Sequence, residues 1–595
     1  MKEYKNRDEV EEEYKWNLSE FFESNEAFFK ASEEVDSKID IFNDYRGCTK
    51  DGNKLYEYLI KLKEVETIVE KMDAYAWLKN DEELGKKENL EMLSKSKDAI
   101  AKINNVNSFF EPELLKLSKD EFENLFKENS KLEEYRAFLL DIYRNKEHTL
   151  NESEEKIVNS LVMATNNFSD MSSTLLNMEH DYGKVTLADG KKVTLSTTNS
   201  RFLKSNDNRE TRKEADTKLL KKGLEYGSTS AELLNSYVKL EDTLANIYHF
   251  NDSFEARLFE DNLNKNIFDV LSKTTRSGVD TLQRYFKLRK KILNLDTLYN
   301  YDLGAKLSHS KKEYSIEEGI KTVREAIKPL GEEYLKKYDK LIKNRNIDFC
   351  GYPGKCSGGY NLSIPSCDSR ILMSYHYDLE SLSIIAHEAG HHINYQFINE
   401  NNPVQYCHNS LIVAEVASLT NEFLLSNYIF NNAKDKEEKV LALENSLNVI
   451  ASNLHDAVRL GDMERLMHDK VHDGGALTKE FMNEICEESL NYYYGDTVKL
   501  TSSAKGSWIF RSHYYSNFYL YNYAICVSIA SYFASKITDG DKKTLDKYLE
   551  FLKFGSDIYP LDAFKKLGIS LEDENVYKNA ILYFDKLISM LESLY

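Results

Sequence analysis

The chain has 595 residues, enough to bury a large core and to build several domains or one multi-lobed body. Its 79 Lys and Arg stand against 99 Asp and Glu, a formal net charge of −20. Such an acidic chain suits neither nucleic acid nor an anionic membrane surface, whose binding needs clustered positive charge, and 41% hydrophobic residues exclude disorder.

The N-terminal stretch Met1-Lys2-Glu3-Tyr4-Lys5-Asn6-Arg7 runs into acidic Glu11-Glu12-Glu13 and is unlike a signal peptide. The most apolar run, residues 523–534, is broken by serines and tyrosines and is too short to span a membrane. Cys48, Cys350, Cys356, Cys367, Cys407, Cys486 and Cys526 are odd in number and form no CxxC pair, so reduced thiols and a cytoplasmic location are expected.

Six prolines and 24 glycines leave few helix breakers, and long helices should dominate. Apolar residues recur at three- and four-residue spacing over 53–117, as in Leu59, Leu62, Val65, Ile68 and Val69. Further helical patterns cover 121–143, 154–179 and 209–245, without the fixed period of a solenoid. Residues 184–187 and 192–195 flank Asp189-Gly190 and predict a hairpin. That hairpin closes a helical N-terminal region, 1–195, and precedes a catalytic region, 196–595; no Pro/Gly/Ser-rich linker separates them, so packed lobes are expected. The glycine-rich passage 351–360 and the following 369–375 read as a small sheet with an exposed edge, the alternative being a plain loop and hairpin. It is not a phosphate loop, because Gly351 and Gly354 are too close and Cys356 follows Lys355.

Next comes His387-Glu388-Ala389-Gly390-His391, an HExxH string on a predicted helix whose apolar stripe continues through Ile393 and Phe397. Four residues apart, His387 and His391 share one helix face and can close on one Zn²⁺, with Glu388 beside them as a candidate base. A catalytic zinc needs a third protein ligand on an element that can cross this helix. Asn402 and Pro403 break the helix, and a new apolar pattern begins near Leu411. In it Glu415 stands among Ala414, Val416, Ala417 and Ser418, where a cation would offset the cost of desolvating the carboxylate. Glu415 is the expected third ligand. Glu422, seven residues on, is a candidate to orient a ligand histidine, the alternative being a helix-surface charge. His392 points about 100° away from His391 and is not expected to bind the ion, and His408 reads as a surface or cleft histidine.

This donor set predicts metal-assisted hydrolysis, with Glu388 moving a proton from water to a departing amine. The oxyanion needs a further hydrogen-bond donor. Tyr515, Tyr519 and Tyr523, at i, i+4 and i+8, would share one helix face with His513 at its start; the alternative is an aromatic core stripe in a chain with 39 tyrosines.

Trp16-Asn17-Leu18-Ser19, Gly358-Gly359-Tyr360, Ile371-Leu372-Met373, the HExxH helix, Glu415-Val416-Ala417-Ser418 and the His513–tyrosine segment together resemble oligoendopeptidase F, a bacterial branch of the thimet oligopeptidase-like zinc metallopeptidases. The resemblance spans essentially the whole chain. It implies a mainly α, two-lobed ellipsoid with a deep channel, one Zn²⁺ on its floor and a small β-sheet beside the HExxH helix. It also implies endopeptidase action on short, unstructured oligopeptides inside the cell. The family's zinc ligands match His387, His391 and Glu415, and its base matches Glu388. Its oxyanion-stabilising His and Tyr fall in the His513–Tyr523 segment, with Tyr519 and Tyr523 the leading positions and Tyr515 and Tyr521 left open. The segment is shorter than in the thimet-type branch, and Asn394 stands where many relatives carry a histidine. Two other readings remain: an exopeptidase of dipeptidyl or carboxypeptidase type on the same site, and a metal-free helical binding protein. Oligomeric state is not legible.

Overall fold

The computed structural model describes residues 4–165, 167–408 and 410–595. Helices dominate, as the scarcity of prolines and glycines predicts, and two small sheets interrupt them. The helices that matter below are, in chain order, α1 (Gly52–Glu82), α2 (Lys87–Asn107), α3 (Glu332–Lys343), α4 (Leu379–Asn401), α5 (Leu411–Asn432), α6 (Lys436–Ile450), α7 (Ala457–His472) and α8 (Leu520–Thr538). The periodic stretch 53–117 is thus split. Asp51 caps α1 by accepting from the Asn53 and Lys54 amides, and the chain turns between α1 and α2 at Gly85, whose φ of +82° suits glycine. Residues 209–245 likewise divide, into helices Arg209–Glu225 and Gly227–Ile247. No helix among the described residues is long and apolar enough to cross a membrane.

The chain divides into two compact units. The first comprises Met1–Thr149, Lys312–Leu425 and Lys536–Ala563. Its core gathers Phe28, Leu55, Tyr58, Met72, Met92 and Leu132 around α1 and α2. It contains the predicted small sheet, ordered β3 (Ile347–Asp348), β5 (Cys367–Leu372), β4 (Tyr360–Ile364), with β3 parallel and β4 antiparallel to the central β5. β4 is an edge strand and, unlike the buried edge β3, is only half buried. The glycine-rich residues before it form a loop in which Gly354 and Gly358 take φ of +93° and +98°. The N-terminal Trp16–Ser19 motif fastens this sheet: Trp16 Nε1–H donates to buried Glu82 at 2.6 Å, and Arg370 of β5 donates to the Asn17 carbonyl at 2.8 Å. The sheet packs on α4, where His392 Nδ1 lies 2.5 Å from Ser369 Oγ of β5.

The second unit comprises Leu150–Lys311, Ser426–Ser535 and Phe564–Tyr595. Its core joins Val238, Met463, Met467, Met482, Cys486 and Trp508. It contains the predicted hairpin, β1 (Lys184–Thr186) antiparallel to β2 (Lys192–Thr194), with Val185 opposite Val193 and Gly190 at φ +83° in the turn. α6 and α7 are one continuous helix joined by a π-helical turn, Ala451–Asp456.

Candidate metal centre

α4 starts at Asp378, whose carboxylate accepts from the Ser381 amide, and runs unbroken through the HExxH string to Asn401. Helical spacing brings His387 Nε2 and His391 Nε2 to 3.2 Å from each other. α5 supplies the carboxylate. Glu415 lies 3.7 Å from His387 Nε2 and 4.0 Å from His391 Nε2, and the three ligand atoms fall within 4.8 Å of one another. Among the described residues this is the one such group of His, Cys, Asp or Glu, and it could hold a metal ion.

The fourth residue of the string explains why α5 can come so close. A Cβ on Gly390 would stand 2.6 Å from Ser418 Cα and 2.9 Å from the Ala417 carbonyl, so only glycine permits this crossing. Asn421 of α5 fixes the crossing by donating to the Ala386 carbonyl at 2.9 Å, and itself accepts from the Tyr334 hydroxyl of α3 at 2.9 Å. Neither Gly390 nor Asn421 stands out as functional in the sequence; the signal for both is a small or amide residue facing the crossing partner at helical spacing from the histidines and glutamates.

His387 Nδ1–H donates to Glu422 Oε1 at 2.7 Å, which fixes the ring and leaves Nε2 facing Glu415. Burial disfavours a charged His387, but the Glu422 hydrogen bond and the surrounding carboxylates outweigh it and raise the imidazole to about 9. Burial and the neighbouring His387 depress His391 well below its ordinary value. Without a cation, therefore, the pair carries one positive charge at neutral pH, on His387. Glu388 is 8% exposed, and burial, followed by the charges of Glu415 and Glu422, pushes its carboxyl up to about 7 against the pull of His387. Burial, then Glu422, also raises Glu415.

The competing histidines lie elsewhere. His392 is fully buried between Ser369 and Gln396, as its direction on the helix predicts, and His408 is exposed beside Tyr395. Asn394 donates to the Leu552 carbonyl at 2.9 Å.

The second unit holds the other predicted residues, and here the expected continuous helix is corrected. His513 lies in a 3₁₀ turn, Ser512–Tyr515, and α8 begins only at Leu520. Between them Phe518 adopts φ +53°, a left-handed conformation that no helix allows. Buried Glu464 accepts the Phe518 amide at 2.7 Å, and Glu241 accepts from the Asn517 side chain at 2.6 Å, so two carboxylates fix the irregular backbone. The bend still gathers three of the predicted residues. The His513 ring stacks 6.0 Å from Tyr519, and the Tyr523 hydroxyl donates to the Tyr519 hydroxyl at 3.3 Å. Tyr515 instead packs on Tyr237, and buried Tyr521 donates to Asp462 at 3.1 Å. Tyr515, Tyr519 and Tyr523 therefore share no helix face, because the turn intervenes.

The model of peptidase family M3 matches residues 202–581, and that of the oligopeptidase F N-terminal region matches 113–182. The chain is 28% identical to oligopeptidase PepF of Bacillus subtilis, over 99% of this chain and 88% of that protein. It is also 28% identical to a plasmid-borne oligoendopeptidase F of Lactococcus lactis subsp. cremoris, over 99% and 98% of the two chains. A solved structure from Chlamydophila abortus superimposes with a TM-score of 0.90 at 26% identity, covering 99% of this chain and all of that one.

Proposed function

The chain belongs to peptidase family M3, and from that premise we propose that it is a cytoplasmic zinc endopeptidase that hydrolyses internal bonds of short, unstructured oligopeptides. The observation that carries this reading is the 3.2 Å separation of the His387 and His391 Nε2 atoms with Glu415 facing both. Two nitrogens bound to one tetrahedral zinc at about 2.05 Å would stand roughly 3.3 Å apart, so the donor set fits the ion with little rearrangement. The set is also chemically apt: two imidazoles and one carboxylate leave one position open for catalysis. When bound, the ion supplies an acidified water and polarises the scissile carbonyl.

The chain's own groups do the rest. Glu388 is not a ligand in this scheme; its carboxylate takes the proton of the attacking water and returns it to the departing amine nitrogen. Glu422 holds the His387 ring so that Nε2 faces the ion. His513, Tyr519 and Tyr523 are the proposed donors to the oxyanion. The β4 edge offers unpaired backbone groups along which an extended peptide can lie.

Endopeptidase action is favoured over terminal trimming by the name that the Lactococcus relative carries. The test is product mass after incubation of the full chain with an unstructured peptide of about a dozen residues, with chelator and zinc re-addition as controls. Internal cuts that vanish with chelator and return with zinc are expected, while a folded protein survives. Release of terminal residues or dipeptides alone would make it an exopeptidase, and chelator-insensitive cleavage would remove the metal from the scheme.

A further inference from the structure

The second unit contains a cavity of about 280 Å³ that the peptidase reading does not use. The π-helical turn Ala451–Asp456 between α6 and α7 forms part of its wall. A π turn inserts a residue into an otherwise regular helix, costs hydrogen-bond geometry, and recurs at functional positions. Here it turns Ser452, His455 and Asp456 to the cavity.

The polar groups around this space are unusually incomplete. His455 is fully buried, yet neither ring nitrogen has a hydrogen-bond partner among the described residues. The Nε of Arg289, a residue 2% exposed, and the hydroxyl of buried Tyr493 also lack partners. Buried donors left in that condition are costly unless a ligand or solvent meets them. The charges are incomplete as well. Arg459 donates to Asp456 Oδ1 at 2.6 Å and Arg511 to Asp456 Oδ2 at 3.3 Å, so two guanidiniums share one carboxylate. Arg289 has its own partner in Glu444 at 3.3 Å. Three guanidiniums thus face two carboxylates, leaving one positive charge over. Burial depresses His455 to about 4, so the imidazole adds hydrogen-bonding capacity without adding charge at neutral pH.

The remaining wall is apolar, with Leu282, Phe286 and Tyr494 lining it. A cavity of roughly 150 Å³ can hold a benzene ring, so this one has room for a ring and a charged head. We infer that the cavity is a binding site for a small monocarboxylate with an aromatic or aliphatic body. The carboxylate meets the surplus charge of Arg459 and Arg511 and the free donors of His455 and Tyr493, and the body lies on the apolar wall. The site is independent of the metal reading, since every residue invoked belongs to the second unit and none is a proposed ligand.

The test is isothermal titration of the full-length protein with benzoate, using benzyl alcohol and inorganic phosphate as comparison probes. Saturable benzoate binding in the millimolar range or tighter is expected, with both other probes at least about tenfold weaker. Arg511→Gln and His455→Phe should each weaken benzoate roughly ten- to hundredfold, the usual effect of losing a charge-assisted or buried hydrogen bond. Thermal melts establish that the variants are folded; should His455→Phe not fold, the partly exposed Arg511 decides the matter. Absence of saturable binding, equal binding of benzyl alcohol, or full affinity in Arg511→Gln would each overturn the proposal. Phosphate binding as tightly as benzoate would overturn the assigned apolar body.

Discussion

His387, His391 and Glu415 sit on two continuous helices, whereas His513, Tyr519 and Tyr523 are carried by a 3₁₀ turn, a left-handed residue and the first turn of a helix. The first cluster is positioned by helical period and by one close crossing at Gly390. The second is positioned by two carboxylates, buried Glu464 and half-buried Glu241, that grip backbone and side chain of a bent segment. A group on a helix can move only with the helix, so the first cluster should tolerate loss of a neighbour and respond sharply to loss of a member. A group on a bend depends on whatever fixes the bend.

The largest effect expected from this contrast is at Glu388. Glu388→Gln keeps shape and hydrogen bonding but cannot take a proton, and kcat should fall by about 10²–10⁴ with bound metal unchanged. Metal analysis and steady-state kinetics on the same sample check both halves. In the second cluster, His513→Ala and at least one of Tyr519→Phe and Tyr523→Phe should lower kcat by about 10²–10³ without moving the melting temperature. Normal turnover in all three variants would make that cluster an aromatic stripe. Because Glu422 only orients His387, Glu422→Gln should weaken metal affinity about 10–100-fold, read by competition with a chromophoric chelator, and excess metal should restore activity.

The last effect is on stability rather than turnover, and it belongs to the bend. Burial raises the Glu464 carboxyl from about 4.5 to about 8, so the folded state keeps a proton there that the unfolded chain releases above about 4.5. The folded state binds the extra proton between those values, so stability should fall as pH rises from about 4.5 to about 8, by at most about 1.4 kcal/mol per pH unit. Glu464→Gln can still accept the Phe518 amide and should flatten that slope in thermal melts. An unchanged slope would show that Glu464 is not the titrating group.

The same contrast explains what the sequence made legible. The i, i+4 spacing of His387 and His391, and a carboxylate set among small apolar residues at Glu415, follow from helix geometry and desolvation, and the structure brings them together. The hairpin was readable from Asp189-Gly190 because its turn chemistry is local. The left-handed Phe518 was not readable, since nothing in Asn517-Phe518-Tyr519 demands it; Glu464 and Glu241, distant in sequence, impose it. The role of Gly390 was hidden for a similar reason: its requirement comes from Ser418 of another helix. The π turn at 451–456 has no local signature either, and the cavity beside it emerges only from the fold.

The most direct measurement is zinc content of the protein purified without chelator, beside Glu415→Ala and Glu388→Gln. The account predicts about one zinc per chain in the native protein and in Glu388→Gln, and a marked loss in Glu415→Ala. A native protein that is active with no zinc, or a Glu415→Ala variant that keeps it, would contradict the central assignment.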